Sequence, residues 1–255
     1  MKSGEIADIL EKYAPADYAC DWDNVGMHVG RKDNEVHKIV LTVDIDENAI
    51  ELAIKEKAQM IVSHHPLIFH GIRQINEDSF MGERILKLME HNINAYCMHT
   101  NFDSTHMAVE AGKMLGIKNM QVIEELKDGY GIGVTGDIAK NLTMASLCER
   151  IKSVYNLESL TCYGHKDFPV RKIAIVPGSG KDYIDDAIKL KAQVLLTGDV
   201  TYHYGIDAAA KGLNIIDAGH FGLEKIFMDI VEKYIKNQGM DVTIIKNKAS
   251  NVFYL

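Results

Sequence analysis

The sequence predicts an α/β protein built from two related halves. Three observations carry this: a repeat offset by 134 residues, a strand–helix–strand pattern in each copy, and apolar runs that end abruptly in histidine, proline or Gly-Asp.

The repeat aligns Lys38–Ser63 with Lys172–Thr197 without a gap, and nine of 26 positions are identical. Ile39–Val43 and Ile173–Val176 are short apolar runs rich in β-formers, so both are expected as strands. Helices are expected from Glu47 to Lys57 and from Asp182 to Lys191, and strands again at Met60–Val62 and Val194–Leu196. A strand–helix–strand with so short a connection predicts a right-handed parallel unit. The polar, glycine-containing stretch Leu126–Gly129 is the expected boundary. It gives a first α/β half at 1–125 and a second at 126–255, each the size of a small domain. Near the end, Ile226, Phe227, Ile230 and Val231 recur at helical spacing, predicting a helix over Leu223–Lys236 with that stripe inward. A last strand is expected at Val242–Ile245.

Composition narrows the function. A formal net charge of −8 argues against broad binding to nucleic acid or to an anionic membrane, since both need a basic footprint. Four scattered cysteines, Cys20, Cys97, Cys148 and Cys162, form no C-x-x-C pair. They fit a reducing compartment better than a disulfide framework. No apolar run approaches the roughly 18 residues that span a bilayer, and the N-terminus lacks the apolar core of a signal peptide. A cytoplasmic protein is expected.

The most informative feature is Met60-Ile61-Val62-Ser63-His64-His65-Pro66, an apolar strand closed by two histidines and a proline. In open α/β sheets, ligands bind at the C-terminal strand edge. Side chains alternate along a strand, so the two imidazoles are expected on opposite faces, serving two ions or one ion and its support. The second motif, His99-Thr100-Asn101-Phe102-Asp103, follows the strand-like Ile93–Met98. Its Asp103 reads either as a ligand or as the cap of a helix beginning near Thr105. The third, Gly219-His220-Phe221-Gly222-Leu223-Glu224, follows Leu213–Asp217; on a helix, His220 and Glu224 share one face.

His64, His65, Asp103, His220 and Glu224 thus offer three imidazoles and two carboxylates. One catalytic ion takes about three protein ligands. Five, with a carboxylate able to bridge, suit two divalent ions about 3.5–4 Å apart. The mixed N/O set fits zinc, iron, manganese, cobalt or nickel and does not choose among them. His99 and His203, the latter just past Thr197-Gly198-Asp199, are the candidate catalytic acid/base residues. Gly178-Ser179-Gly180-Lys181 reads as a tight strand-to-helix turn or an anion cradle. Asp21-Trp22-Asp23-Asn24-Val25-Gly26, which holds the single tryptophan, reads as a segment that packs and caps a turn or as one that binds a base.

Asp23-Asn24-Val25-Gly26, His64-His65-Pro66, His99–Asp103, Thr197-Gly198-Asp199 and Gly219-His220-x-x-x-Glu224 fall in order along nearly the whole chain. In this the sequence resembles the GTP cyclohydrolase 1 type 2 homologue family, the Nif-three-like proteins. The resemblance implies two similar, duplicated α/β domains with mixed sheets flanked by helices and a dinuclear metal site in the cleft. It places the metal ligands at His64, His65, Asp103, His220 and Glu224, with Glu224 bridging. It also implies a toroidal homohexamer and a small-molecule, nucleotide-like substrate, hence a metal-dependent hydrolase; the alternative is a non-enzymatic metal- or partner-binding scaffold. Longer members carry an extra domain between the halves, for which this chain has no room. Leu223 stands where a hydroxyl residue is common and Phe102 where leucine is common.

Overall fold

The structure, a computed structural model, describes residues 1–252, and side chains outside 139–141. Helix α1 (Ser3–Tyr13) precedes strands β1 (Gly26–Val29) and β2 (Lys38–Thr42). Helix α2 (Glu47–Glu56) leads to β3 (Met60–Ser63), and α3 (Phe80–Glu90) leads to β4 (Asn94–Cys97). One helical turn, α4 (Thr100–Phe102), is followed by a π-helical turn at Asp103–Met107 and by α5 (Ala108–Leu115). Strands β5 (Lys118–Lys127) and β6 (Tyr130–Thr143) come next, then α6 (Met144–Tyr155), β7 (Thr161–Tyr163) and β8 (Pro169–Ser179). The chain continues through α7 (Ile184–Lys189), β9 (Val194–Gly198), α8 (Tyr202–Ala210), β10 (Asn214–Asp217) and α9 (His220–Glu224). It ends in α10 (Ile226–Asn237) and β11 (Thr243–Lys246).

Two compact units result. The first comprises Met1–Phe102 and Phe227–Asn251, so the C-terminal helix and strand belong to it; the second comprises Asp103–Ile226 with Val252. The stretch 126–129 is a hairpin turn inside the second unit. Asp128 and Gly129, with φ of 51° and 80°, join β5 to β6. Two central residues with positive φ match the twist of antiparallel strands, and glycine takes the second place without a Cβ penalty.

Among the described residues, the strands form a five-stranded sheet, β1-β4-β3-β2-β11, and a six-stranded one, β5-β6-β8-β9-β10-β7. Both are mixed. Parallel β2, β3, β4 and β11 are edged by antiparallel β1; parallel β8, β9 and β10 are flanked by antiparallel β6 and β7. Four strands of each sheet run in one order, β1-β4-β3-β2 and β7-β10-β9-β8.

The duplication holds at the level of single residues. Ile39 pairs with Met60, and Ile173 with Val194; adding 134 converts one pair into the other. Gln59 Oε1 accepts from the N–H groups of His37 (2.9 Å) and Lys38 (3.1 Å), and Gln193 Oε1 accepts from Arg171 (2.7 Å) and Lys172 (3.1 Å). Each glutamine therefore ties off the entry to the first parallel strand. Asn94 Oδ1 accepts from Arg31 N–H and Asn214 Oδ1 from His165 N–H. The cores correspond too: Val40, Ile50, Ala53 and Ile61 in one, Ala174, Ile184, Ala187 and Leu195 in the other. Each fully buried large aliphatic contributes about 1.5–3 kcal/mol, so repeating these positions supplies the main stabilising effect twice. From β4 onward the offset falls to 120: Ile93 and Ala95 of the first core match Leu213 and Ile215 of the second. The difference of 14 is extra chain after β3 in the first copy.

Two helices differ from expectation at their ends. The second repeat helix is shorter, because a 3₁₀ turn at Lys181–Tyr183 precedes α7. In the first copy, Asp46 caps α2 by accepting from Ala49 N–H at 2.9 Å. The predicted helix over Leu223–Lys236 is two, α9 ending at Glu224 and α10 beginning at Ile226. No helix among the described residues is long and apolar enough to cross a membrane.

Candidate metal centre

In the first unit, β3 delivers the histidine doublet at its C-terminal end. The ladder persists one step past the strand: His64 N–H donates to Thr42 O and His65 N–H to Val43 O. The chain bends here, and Ser63 Oγ donates to His65 O at 2.7 Å. This bend overturns the expectation of opposite faces. The two rings lie on the same side, with centroids 5.0 Å apart, because pleat alternation ends where the strand does.

His99 joins them. Its ring centroid is 5.4 Å from that of His64 and 5.6 Å from that of His65, and ligand nitrogens of all three lie within 4.8 Å of one another. Each imidazole is oriented through Nδ1 by an oxygen: His64 by the carbonyl of Met98 (2.9 Å), His65 by Asp44 (2.8 Å), His99 by Asp23 (2.9 Å). A carbonyl or carboxylate opposite Nδ1 places the proton there and leaves Nε2 with its lone pair, the form that binds a metal. The donor chemistry therefore fits a divalent ion.

Asp23 does more than orient His99. Its Oδ2 accepts from Thr100 N–H at 2.9 Å and so caps helix α4. Burial works to raise its pKa, but the hydrogen bond and charge of His99, with the Thr100 donors, hold it down to about 2. The loop is fastened by His28, which faces Asn24 O through Nε2 and accepts from Ile68 N–H at Nδ1. Burial pushes the His28 pKa below the usual imidazole value. Trp22 and Phe69 stand exposed beside His99, with ring centroids 6.1 and 6.4 Å from it.

In the second unit, His220 opens α9 and Glu224 ends it. His220 Nδ1 lies 2.7 Å from Asp199 Oδ2, and Nε2 lies 3.1 Å from Glu224 Oε2. Nitrogen and oxygen donors thus meet on one helix face, the spacing expected of residues four apart. Glu224 is 3% exposed, and an isolated buried carboxylate is costly unless a cation or hydrogen bonds compensate. Asp199 has φ 56°, in the left-handed region. Gly178 backs the pair; a Cβ there would lie 2.5 Å from Glu224 Oε1.

Asp103 is half-buried in the π-helical turn. The helical backbone starts earlier than expected, at Thr100, where Asp23 accepts from the Thr100 N–H. A π-helical turn widens the backbone and recurs at functional sites. The 178–181 loop is a tight strand-to-helix turn, since Gly180 N–H donates to Thr197 Oγ1 at 2.8 Å. His203 sits exposed in the first turn of α8, edge-on to Tyr202.

The Duf34/NIF3 (NGG1p interacting factor 3) family pattern matches residues 1–251. The chain belongs to this family. A relative from Clostridium perfringens, named GTP cyclohydrolase 1 type 2 homolog, is 35% identical over 255 residues, covering 98% of this chain and 97% of the relative. A Helicobacter pylori protein named GTP cyclohydrolase 1 type 2 is 32% identical over 241 residues, covering 94% of each. The crystal structure of Staphylococcus aureus hypothetical protein SA1388 superposes with a TM-score of 0.92 at 26% identity, covering 100% of this chain and 99% of that one. The NIF3 fold thus accounts for both mixed sheets.

Sequence reasoning assigns no role to Asp44, and places Asp23 in a turn and in the Asp23-Asn24-Val25-Gly26 motif without marking it as the partner of His99. The signal for both was a carboxylate at a strand end or loop near a histidine motif, a pattern too common to single out by spacing.

Proposed function

We propose that this chain is a dinuclear divalent-metal hydrolase of a nucleotide-like substrate. The reading assigns His64, His65, Asp103, His220 and Glu224 as the residues that would hold two ions. The observation that carries it is the His64–His65 doublet of the first unit, in which each Nδ1 is held by an oxygen acceptor. Such outer partners fix ring orientation and raise ligand basicity. The His220–Glu224 pair, oriented by Asp199, supplies a matching donor set in the second unit.

When bound, such ions lower the pKa of a coordinated water and polarise the scissile bond. His99 is assigned proton transfer, with Asp23 holding its Nδ1. His203 is the second candidate for that role, reaching substrate from α8. The nucleotide class rests on the name of the Helicobacter pylori relative. The reading also takes in a homohexameric assembly, which light scattering on the purified protein tests.

The deciding experiment pairs metal analysis with turnover. Wild type, His64→Ala and Glu224→Gln are assayed for bound metal, then on a panel of nucleotides and phosphoesters with Mn²⁺, Zn²⁺ or Fe²⁺. Two ions per wild-type chain and turnover that His64→Ala abolishes are expected. Equal rates for wild type and His64→Ala on every substrate would remove the hydrolase reading; a metal-loaded wild type that turns over nothing favours a scaffold.

A further inference from the structure

Cys148 on α6 and Cys162 on β7 stand apart from the metal-binding residues, with sulfurs 3.4 Å apart. A disulfide has its sulfurs about 2.03–2.05 Å apart, so the two must approach by a further ~1.4 Å to bond. Strand β7 is the edge of its sheet, and Cys162 is exposed on it. Cys97, by contrast, is buried with its thiol donating to His64 O.

We propose that Cys148 and Cys162 are a reversible dithiol–disulfide site, oxidised by hydroperoxides and reopened by dithiol reductants. Cys162 is the attacking sulfur. It is the exposed member of the pair, open to a dissolved peroxide, with the half-buried Cys148 sulfur 3.4 Å behind it. The Cys162 thiolate takes the terminal OH of the hydroperoxide, the O–O bond breaks, and the leaving oxygen takes up the proton that Cys162 gave to solvent, departing as an alcohol (or as water, from hydrogen peroxide). The Cys148 sulfur then attacks the Cys162 sulfenic sulfur. The S–S bond forms and the S–O bond breaks, and the oxygen leaves as water with the Cys148 proton. Two thiols lose two electrons and the hydroperoxide gains them.

The position gives the bond a consequence. The α6–β7 connection rests on α9: Lys225 Nζ donates to Asn156 O at 2.8 Å, and the Leu157 Cδ2 lies 3.1 Å from where a Gly222 Cβ would stand. A bond between 148 and 162 closes this connection into a short loop, and cross-linking a loop restrains its open forms. Oxidation therefore fastens the segment that packs against the helix of His220 and Glu224.

The full-length protein is treated with stoichiometric hydrogen peroxide, alkylated under denaturing conditions and mapped by mass spectrometry. The expected result is loss of two of the four alkylatable thiols, a linked Cys148–Cys162 peptide, and recovery of all four with dithiothreitol. Amide exchange over 156–162 should slow at least about tenfold on oxidation. Cys148→Ser should give no internal link and leave Cys162 trapped by dimedone as the sulfenic acid. Sulfinic acid at Cys162 of the wild type without a linked peptide would overturn the site. So would a link that forms instead through Cys20 or Cys97. Unchanged exchange in the linked protein would overturn the coupling to α9.

Discussion

Asp23 Oδ1 accepts from His99 Nδ1 at 2.9 Å while its other oxygen caps the helix that begins at Thr100. One enclosed carboxylate therefore fixes both a candidate catalytic ring and the start of the element carrying the motif His99–Asp103. Its pKa lies at about 2 in the fold against an ordinary 3.8. A depressed carboxylate stabilises the fold above its unfolded pKa, and that contribution is lost as pH falls through the folded value. In metal-stripped protein, Asp23→Asn should cost about 2 kcal/mol at neutral pH. The difference from wild type should shrink between about pH 4 and pH 2. Urea midpoints across this range check it; a constant difference down to pH 2 would show that Asp23 is not the group responsible.

Gly178 is the tightest constraint on the second unit's donor pair. It has φ +72°, and a Cβ would meet Glu224 Oε1 at 2.5 Å and His220 Nε2 at 3.4 Å. Gly178→Ala should cost about 1–2 kcal/mol for the left-handed backbone. Because the clash falls on Glu224, divalent-ion affinity should drop by more than this stability loss explains. Isothermal titration with Mn²⁺ beside thermal unfolding separates the two. Unchanged affinity would mean that Glu224 relaxes without consequence.

His65 and His220 are held alike, each with Nδ1 on an aspartate, Asp44 at 2.8 Å and Asp199 at 2.7 Å. Outer carboxylates of this kind typically account for about 10–100-fold in metal affinity. Asp44→Asn and Asp199→Asn should each weaken divalent-ion binding by about that factor while leaving far-ultraviolet circular dichroism unchanged. Equilibrium dialysis with metal analysis measures it. Wild-type affinity in both variants would remove the orienting role.

Much of the fold was legible because it was written twice. Isolated apolar runs such as Val194–Leu196 do not distinguish strand from buried helix, but two aligned copies with the same Lys-Ala-Gln before the second strand do. The histidine motifs were legible because they close such runs. What escaped depends on local backbone: the bend after Ser63 that brings His64 and His65 to one side, and the π-helical turn that holds Asp103. Neither has a sequence period. The break between Glu224 and Ile226 escaped because the apolar stripe of α10 reads as one continuous helix. Asp44 and Asp23 escaped because acceptors of an imidazole proton are recognised by distance, not by spacing.

Gln59 and Gln193 offer the sharpest test of that duplication. Each presents one Oε1 to two successive backbone N–H groups, at 2.9 and 3.1 Å in the first copy and 2.7 and 3.1 Å in the second. Truncation exposes those donors to water rather than burying them unsatisfied, so the cost is the net value of two ordinary hydrogen bonds, about 1–2 kcal/mol. Gln59→Ala and Gln193→Ala should lose similar amounts, and the double variant should lose their sum, since the positions share no partner. Amide exchange at His37, Lys38, Arg171 and Lys172 locates each loss. Faster exchange at Lys38 in the Gln193→Ala protein would contradict the independence of the two ties.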